Sequence, residues 1–330
     1  MFKNPFKKNK SRNLHKKGLI LATKRRYKEA LECYDKALEL DHTNIRVLIY
    51  KASALNALDK YDEALKYCNE YLEKDSNWYM AWNIKSFILY NMESYKEALI
   101  CCDNALELET NDEDIWHRKG NVLYELGRYD GALQCYDGAL NLNPESFPVW
   151  RDRGDALFRL ERFKEALNSF NKALELEPDD PFIWNLKGFA LKALGNFDDS
   201  LESFDRALGL DSEDYSTWTS KGRVFAEMNR FDEALDCYNK ALELDSRDYA
   251  WASKGFVLAD MERFNESVEC FDEALKLDSH DAYVWYGKGL SLEKLGKYEE
   301  ALKSFNKSLE IDTDSEDAKK AREEILSYKF

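Results

Sequence analysis

Large and small residues recur along the chain at a fixed interval. Glycine stands at Gly120, Gly154, Gly188 and Gly222, in steps of 34 residues. Four places before each comes a tryptophan: Trp116, Trp150, Trp184 and Trp218. Twelve places after each comes a small residue (Ala132, Ala166, Ser200, Ala234), and four places beyond that a ring (Tyr136, Phe170, Phe204, Tyr238). A 34-residue period with this order of bulky and small positions predicts stacked helical hairpins. Phased on the glycine, the units are 11–44, 45–78, 79–112, 113–146, 147–180, 181–214, 215–247, 248–281 and 282–315. The seventh is one residue short, in the turn around Arg247-Asp248; Trp251 and Gly255 keep their spacing, so the loss falls between helices.

Each unit reads as two helices. In Gly127-Arg128-Tyr129-Asp130 and Gly195-Asn196-Phe197-Asp198, glycine is expected to end the first helix and aspartate to start the second. Proline ends the second helix at Pro144 and Pro178, and Asp-Ser pairs such as Asp211-Ser212 and Asp278-Ser279 take that role elsewhere. Residues 316–330 read as a capping helix, with Ala318, Ala321 and Ile325 on one face. Residues 1–10 read as a basic arm with little to bury and no part in the fold. A length of 330 residues suggests two domains, but a stack of repeats has no single core to divide.

The recurring Trp, Gly, Tyr/Phe, Ala, Tyr/Phe, Ala pattern resembles the tetratricopeptide repeat family over about 305 residues. The resemblance implies an all-α, right-handed superhelical solenoid of nine helix-turn-helix hairpins with a concave groove lined by the first helices. It also implies a protein-interaction role. Three departures stand out. The place before the frame glycine, usually leucine in the family, is basic in every unit, from Lys17 and Lys51 to Lys254 and Lys288. The place after the second-helix ring is Asp or Asn throughout, from Asp35 to Asn306. Because the two places lie at similar height in an antiparallel hairpin, a ladder of polar contacts is expected; an anion-binding stripe is the functional alternative. Repeat 2 carries Cys68 where a ring belongs and Tyr71 where alanine belongs, a compensating exchange of volume. Repeats 1 and 2 replace the tryptophan with Leu14 and Leu48.

In the family's geometry the groove of repeats 6 to 9 is lined by Phe182, Asn185, Phe189, Arg223, Tyr249, Phe256, Tyr283 and Tyr286. A second stretch holds Tyr90, Asn121, Tyr124, Arg151, Asp155, Phe158 and Arg159. Two readings of these rings stay open: packing between neighbouring repeats, or a trough for a peptide, since aromatics and arginine are favoured interface anchors. The family's best-known binding mode grips a C-terminal carboxylate with lysines and asparagines. Asn121 fits it, but His117 and Asp152 stand where bases are wanted, so that mode is not expected.

Charge alters the picture at one end. The net charge is −15, yet residues 1–28 hold eleven lysines and arginines and no acid. Nucleic acid is an unlikely partner for so acidic a body, except through residues 1–28. A regulator or assembly factor tethered by that arm to an anionic surface, membrane or nucleic acid, is therefore the alternative to a groove that binds a protein or peptide segment. No apolar run is long enough to span a bilayer and no secretory or lipidation signal is evident, so a cytoplasmic location is expected. The seven cysteines keep the phase of the repeat, which suits half-buried reduced thiols, with adjacent Cys101 and Cys102 a weak redox candidate. His15, His42, His117 and His280 show no metal-ligand spacing, and there is no phosphate-binding glycine loop. No catalytic residue, cofactor or metal is expected, and the oligomeric state is left open.

Overall fold

A computed structural model describes residues 5–245 and 248–328. The start of the basic arm, with Phe2 and Lys3, residues 246–247 of the shortened turn, and the last two residues lie outside that description. All regular structure among the described residues is α-helical, and none of the helices is long and apolar enough to cross a membrane. The chain divides into two compact units, 1–176 and 177–330.

Unit 1 holds five hairpins: α1 (Pro5–Thr23) with α2 (Tyr27–Leu40), α3 (Arg46–Asn56) with α4 (Tyr61–Leu72), α5 (Tyr79–Asn91) with α6 (Tyr95–Leu108), α7 (Glu113–Glu125) with α8 (Tyr129–Leu142), and α9 (Phe147–Arg159) with α10 (Phe163–Leu176). Unit 2 holds four: α11 (Pro181–Ala193) with α12 (Phe197–Leu210), α13 (Tyr215–Glu227) with α14 (Phe231–Leu244), α15 (Asp248–Asp260) with α16 (Phe264–Leu277), and α17 (Ala282–Lys294) with α18 (Tyr298–Ile311). A single helix, α19 (Glu316–Tyr328), follows. Within each unit, successive first helices touch one another and successive second helices do not. The first helices thus form the inner layer of each stack. Helix α1 runs back to Pro5, so residues 5–10 of the basic arm extend the first hairpin. There Ser11 is fully buried and donates to the Ala37 carbonyl at 2.7 Å.

The frame glycine is required by close approach. A Cβ on Gly120 would lie 2.4 Å from the Tyr136 ring, and one on Gly154 equally close to Phe170. Those rings are buried at the middle of their hairpins. Repeats 2 and 3 solve the same problem in reverse. Ala52 and Ser86 carry a Cβ at the glycine place, and Cys68 and Cys102 replace the ring opposite. Cys68 is therefore matched by Ala52 in its own hairpin as well as by the fully buried Tyr71. Close packing explains the coupling, since extra volume on one side must be removed from the other.

The tryptophans tie each hairpin to the loop before it. The indole N–H of Trp82, Trp116, Trp150, Trp184, Trp218 and Trp285 each donates to the backbone carbonyl six residues earlier, at 2.8–3.1 Å. Asx turns shape many of the loops between hairpins: Asp41, Asp75, Asn143, Asp211, Asp278 and Asp312 accept from the N–H two residues on.

All nine internal turns contain one left-handed residue. Glycine fills it at Gly127, Gly195 and Gly296, but Arg25, Asp59, Glu93, Glu161, Asn229 and Glu262 hold φ near +60° in the others. Each turn closes with a backbone bond to the first helix, such as Arg162 N–H to the Leu157 carbonyl at 2.9 Å. The expected aspartate cap does not open the second helices. Asp130 and Asp198 lie in the first turn, and the cap residues Arg128 and Asn196 make no side-chain bond to it. The closing backbone bond has already fixed the chain's entry, so no side-chain cap is needed there.

The polar ladder exists, but it joins neighbouring hairpins. Lys51 pairs with Asp35, Lys119 with Asp103, Arg153 with Asp137, Lys221 with Asp205 and Lys288 with Asp272, at 2.5–2.8 Å. Each base belongs to the repeat after its acid, because the second helix packs on the next first helix as well as on its own. Lys85, Lys187 and Lys254 lie over the rings of Trp82, Trp184 and Trp251 in their own helices. Eight of the nine bases are thus engaged within the stack, and Lys17 in the first repeat is exposed.

Candidate binding surfaces on the first helices

In unit 1 the inner face is held by bonds between adjacent first helices, and the partners are regularly 35 positions apart. Asn91 donates to Asn56 at 3.1 Å, Arg118 to Asn83 at 2.8 Å, Tyr90 to Glu125 at 3.2 Å and Arg159 to the Tyr124 hydroxyl at 3.0 Å. His117 meets Asp152 at 2.7 Å in the same register. A repeat of 34 with a one-residue offset brings each side chain opposite the next place of the following repeat. Asp152 also accepts from Arg151 at 2.8 Å. Burial would raise the Asp152 carboxyl, but the His117 and Arg151 donors outweigh it and hold it below the ordinary carboxylate range. Tyr124 donates to Asp155 at 2.7 Å, so Asp155, Tyr124 and Arg159 form one chain. Burial, then the Glu125 carboxylate, pushes the Tyr90 phenol up to about 12.

The second predicted stretch is thus largely engaged with itself. Asn121 accepts from the Tyr136 hydroxyl at 2.8 Å. Phe158 stands edge-on to Phe163 at 5.2 Å. His117 and Asp152, which break the family's carboxylate-binding pattern, are paired with each other.

Unit 2 keeps one bond in that register, Lys192 to Glu227 at 2.7 Å, but differs beyond it. Asn185 is buried and donates to the Thr217 hydroxyl, which itself bonds Asp214, so its amide serves the stack. Phe189 is half-buried, edge-on to Phe204 at 5.5 Å. Phe256 is wedged between repeats: it meets Phe271 at 4.9 Å, and a Cβ on Gly287 would lie 2.6 Å from its ring. Of the two readings of these rings, packing therefore describes Phe189 and Phe256. Phe182, Tyr249 and Tyr283 remain exposed, at 57%, 49% and 65%. Tyr283 stacks on Phe256 at 4.6 Å and faces Tyr286 at 6.5 Å, and Tyr286 rests on buried Phe305 at 5.9 Å.

Four predicted residues line one cleft of about 480 Å³: Arg223, Tyr249, Phe256 and Tyr283. Tyr283 continues into a second cleft of about 420 Å³ with Tyr286 and the acids Asp278, Asp281, Asp312 and Asp317. Phe182 and Asn185 are not among the residues lining either.

The first cleft contains groups that the frame positions alone do not single out. Glu227, Asp260 and Asp281 also line it. Glu227 pairs with Lys192 at 2.7 Å. Asp281 caps α17, accepting from the N–H groups of Tyr283 and Val284 at 2.8 and 3.0 Å. Asp260 has no such partner among the described residues, and partial burial raises its carboxyl above the usual range. Its signal in the sequence is the last position of a first helix, where an unpaired acid resembles any solvated one.

The cysteines offer little chemistry. All seven are buried and free. Burial pushes Cys68 up to about 12 and Cys101, Cys135, Cys237 and Cys270 to about 11, and raises Cys102 as well. Thiols held so far from the thiolate at neutral pH are poor nucleophiles. Among the described residues no group of three or more His, Cys, Asp or Glu side chains is placed to hold a metal.

Family profiles described as tetratricopeptide repeat match residues 14–44, 117–181, 169–202, 215–248, 249–281 and 282–315. No curated protein matches the chain. Among solved structures, a tetratricopeptide repeat protein from Parabacteroides merdae is 19% identical with a TM-score of 0.59, over 75% of this chain and 98% of its own. The Cut9–Hcn1 hetero-tetramer of the APC/C is 13% identical with a TM-score of 0.58, over 95% and 75%. YrrB, described as a TPR protein with an unusual peptide-binding site, is 23% identical with a TM-score of 0.50, over 57% and 97%. At these identities the likeness is one of fold.

Proposed function

The chain belongs to the tetratricopeptide repeat family, and from that premise we propose that it is an interaction scaffold whose unit 2 holds a segment of a partner protein. One observation carries the reading: Tyr249 and Tyr283 are both exposed and both line a single cleft, where Tyr283 stacks on the packed Phe256. Rigid aromatic groups lose little conformational freedom on binding and contribute much of an interface's affinity. Unit 1 supports the choice by contrast, because its corresponding side chains are bonded to one another. A peptide-binding site on YrrB shows that a stack of this fold can serve such a role.

The test replaces the exposed rings and spares the packed ones. The double variant Tyr249→Ala, Tyr283→Ala should keep its helical circular dichroism and lose the partners that the unaltered chain captures, as identified by mass spectrometry. Tyr124→Phe in unit 1 should retain them. A double variant that folds and captures the same partners would place the interaction surface elsewhere.

A further inference from the structure

Resting on the reading that unit 2 holds a peptide segment, we infer that the partner side chain taken up between Tyr249 and Tyr283 is cationic, a lysine or an arginine. The cleft's walls and its charges point the same way. Tyr249, Phe256 and Tyr283 line it with rings, and Asp260, which is exposed, lines it as well. A lysine or arginine has matching parts: an aliphatic stem that covers rings and a charged end that stays near water. The face of an aromatic ring attracts a cation and favours no anion.

The carboxylates decide between residue classes. The lining holds three acids, Glu227, Asp260 and Asp281, against one base, Arg223. Glu227 and Asp281 are already committed, to Lys192 and to the start of α17. Among the described residues Asp260 alone of the three has no partner; it is exposed, and an incoming cation would offset the partial shielding from water that raises its carboxyl. Arg223 lies over the Tyr249 ring at 5.6 Å, an intramolecular guanidinium–ring contact that leaves the rings of Phe256 and Tyr283 without a cation of their own among the described residues. An acidic side chain would meet the three carboxylates, and an aliphatic one would leave Asp260 desolvated and unpaired.

Charge on the larger scale agrees. Residues 1–176 hold 28 acidic and 28 basic residues, whereas 177–330 hold 35 acidic and 20 basic. The chain's excess negative charge therefore belongs wholly to unit 2, and a basic segment is the partner such a surface attracts.

The experiment uses the full chain and fluorescein-labelled nonapeptides of glycine, serine and leucine with one central variable residue. Fluorescence anisotropy compares lysine, arginine, Nε-acetyl-lysine, norleucine and glutamate at that centre. Lysine and arginine should bind about tenfold more tightly than norleucine or acetyl-lysine, a preference of about 1.4 kcal/mol. Asp260→Asn should erase that preference by weakening the lysine and arginine peptides while the norleucine peptide binds at least as tightly as before, and an unaltered helical circular dichroism shows that the variant is folded. Added salt should narrow the preference. Equal affinities for lysine and norleucine, or tighter binding of glutamate, would overturn the inference. If the norleucine peptide then still required Tyr249 and Tyr283, the groove reading would stand without it. No binding by any peptide would remove both. Self-association of the chain that disappears with Asp260→Asn would seat basic residues 1–28 of a second copy there and overturn the assignment to a partner.

Discussion

The inner faces of the two units are built on the same frame and differ in how far their side chains satisfy one another. In unit 1, His117, Asp152, Tyr124, Asp155 and Arg159 satisfy one another across neighbouring helices. In unit 2, the corresponding helices present Tyr249 and Tyr283 to solvent beside an unpaired Asp260. Family membership gives both stretches equal standing as grooves. Their hydrogen bonds separate them: a polar group already bonded within the stack has little left for a ligand, whereas an exposed ring gains by being covered.

The largest expected effect tests that contrast through stability. Asp152→Ala leaves Arg151 and His117 without their acceptor and should destabilise the protein by about 2 kcal/mol, since breaking a partly buried charged pair leaves the partner uncompensated. Tyr283→Ala, at a position largely in water, should cost less than about 1 kcal/mol. Urea unfolding followed by circular dichroism measures both, and equal losses would erase the distinction between the two faces.

A smaller effect separates the units by pH. His15 lies between Tyr34 and Tyr50, its Nε2 buried without a partner, and burial lowers its pKa. The folded state then binds fewer protons than the unfolded state, so unit 1 loses stability as pH falls from about 6.5 through the lowered folded value. Asp152, lowered too, keeps its contribution until the pH falls below the ordinary carboxylate range. Asp260 has the opposite sign. Its folded pKa is raised, so its contribution is present below the unfolded value and lost as pH rises through the folded one. Hydrogen exchange between pH 7 and 5 should show protection falling in α1–α3 and holding in α15. His15→Phe should flatten the response of unit 1, by under about 1 kcal/mol.

The smallest effect asks where the units are alike. Glu161 in unit 1 and Gly195 in unit 2 occupy the same turn position with φ of +58° and +76°. A Cβ on Gly195 would meet nothing within 4 Å, so only the backbone conformation opposes it. Gly195→Ala should cost about 1 kcal/mol, and Glu161→Gly should change stability by a few tenths to about 1 kcal/mol in the stabilising direction. Thermal melts of the two variants check both signs. Matching magnitudes would show that the hairpins are interchangeable and that the units differ only in what their inner faces carry.

Much of this was legible in the chain. The all-α stack of hairpins follows from a period of 34, and the glycine and its ring were visible sixteen places apart as a pair of complementary volumes. The direction of the Lys–Asp ladder was not, because a base and an acid at the same height satisfy a within-hairpin pairing and a between-hairpin pairing equally well on paper. The second-helix starts depart from expectation for a related reason. Aspartate's preference for caps is a local tendency, and the backbone closure at Leu157 and its equivalents overrode it.

The candidate site divides along the same line. The resemblance to the family implied an inner-face position for Arg223, Tyr249, Phe256 and Tyr283, by their places relative to the frame glycine. It could not separate Phe256, pressed against Gly287, from Tyr283, open to water, nor see that Asn185 is spent on Thr217 or that Asp260 alone among its neighbours lacks a partner. Local pattern determines which elements form and which face turns inward, because those depend on spacing within one helix. Which inward group is packed, bonded or left free depends on the volume and polarity of the next repeat, some 26 to 35 residues away, and only the assembled stack brings that neighbour into contact.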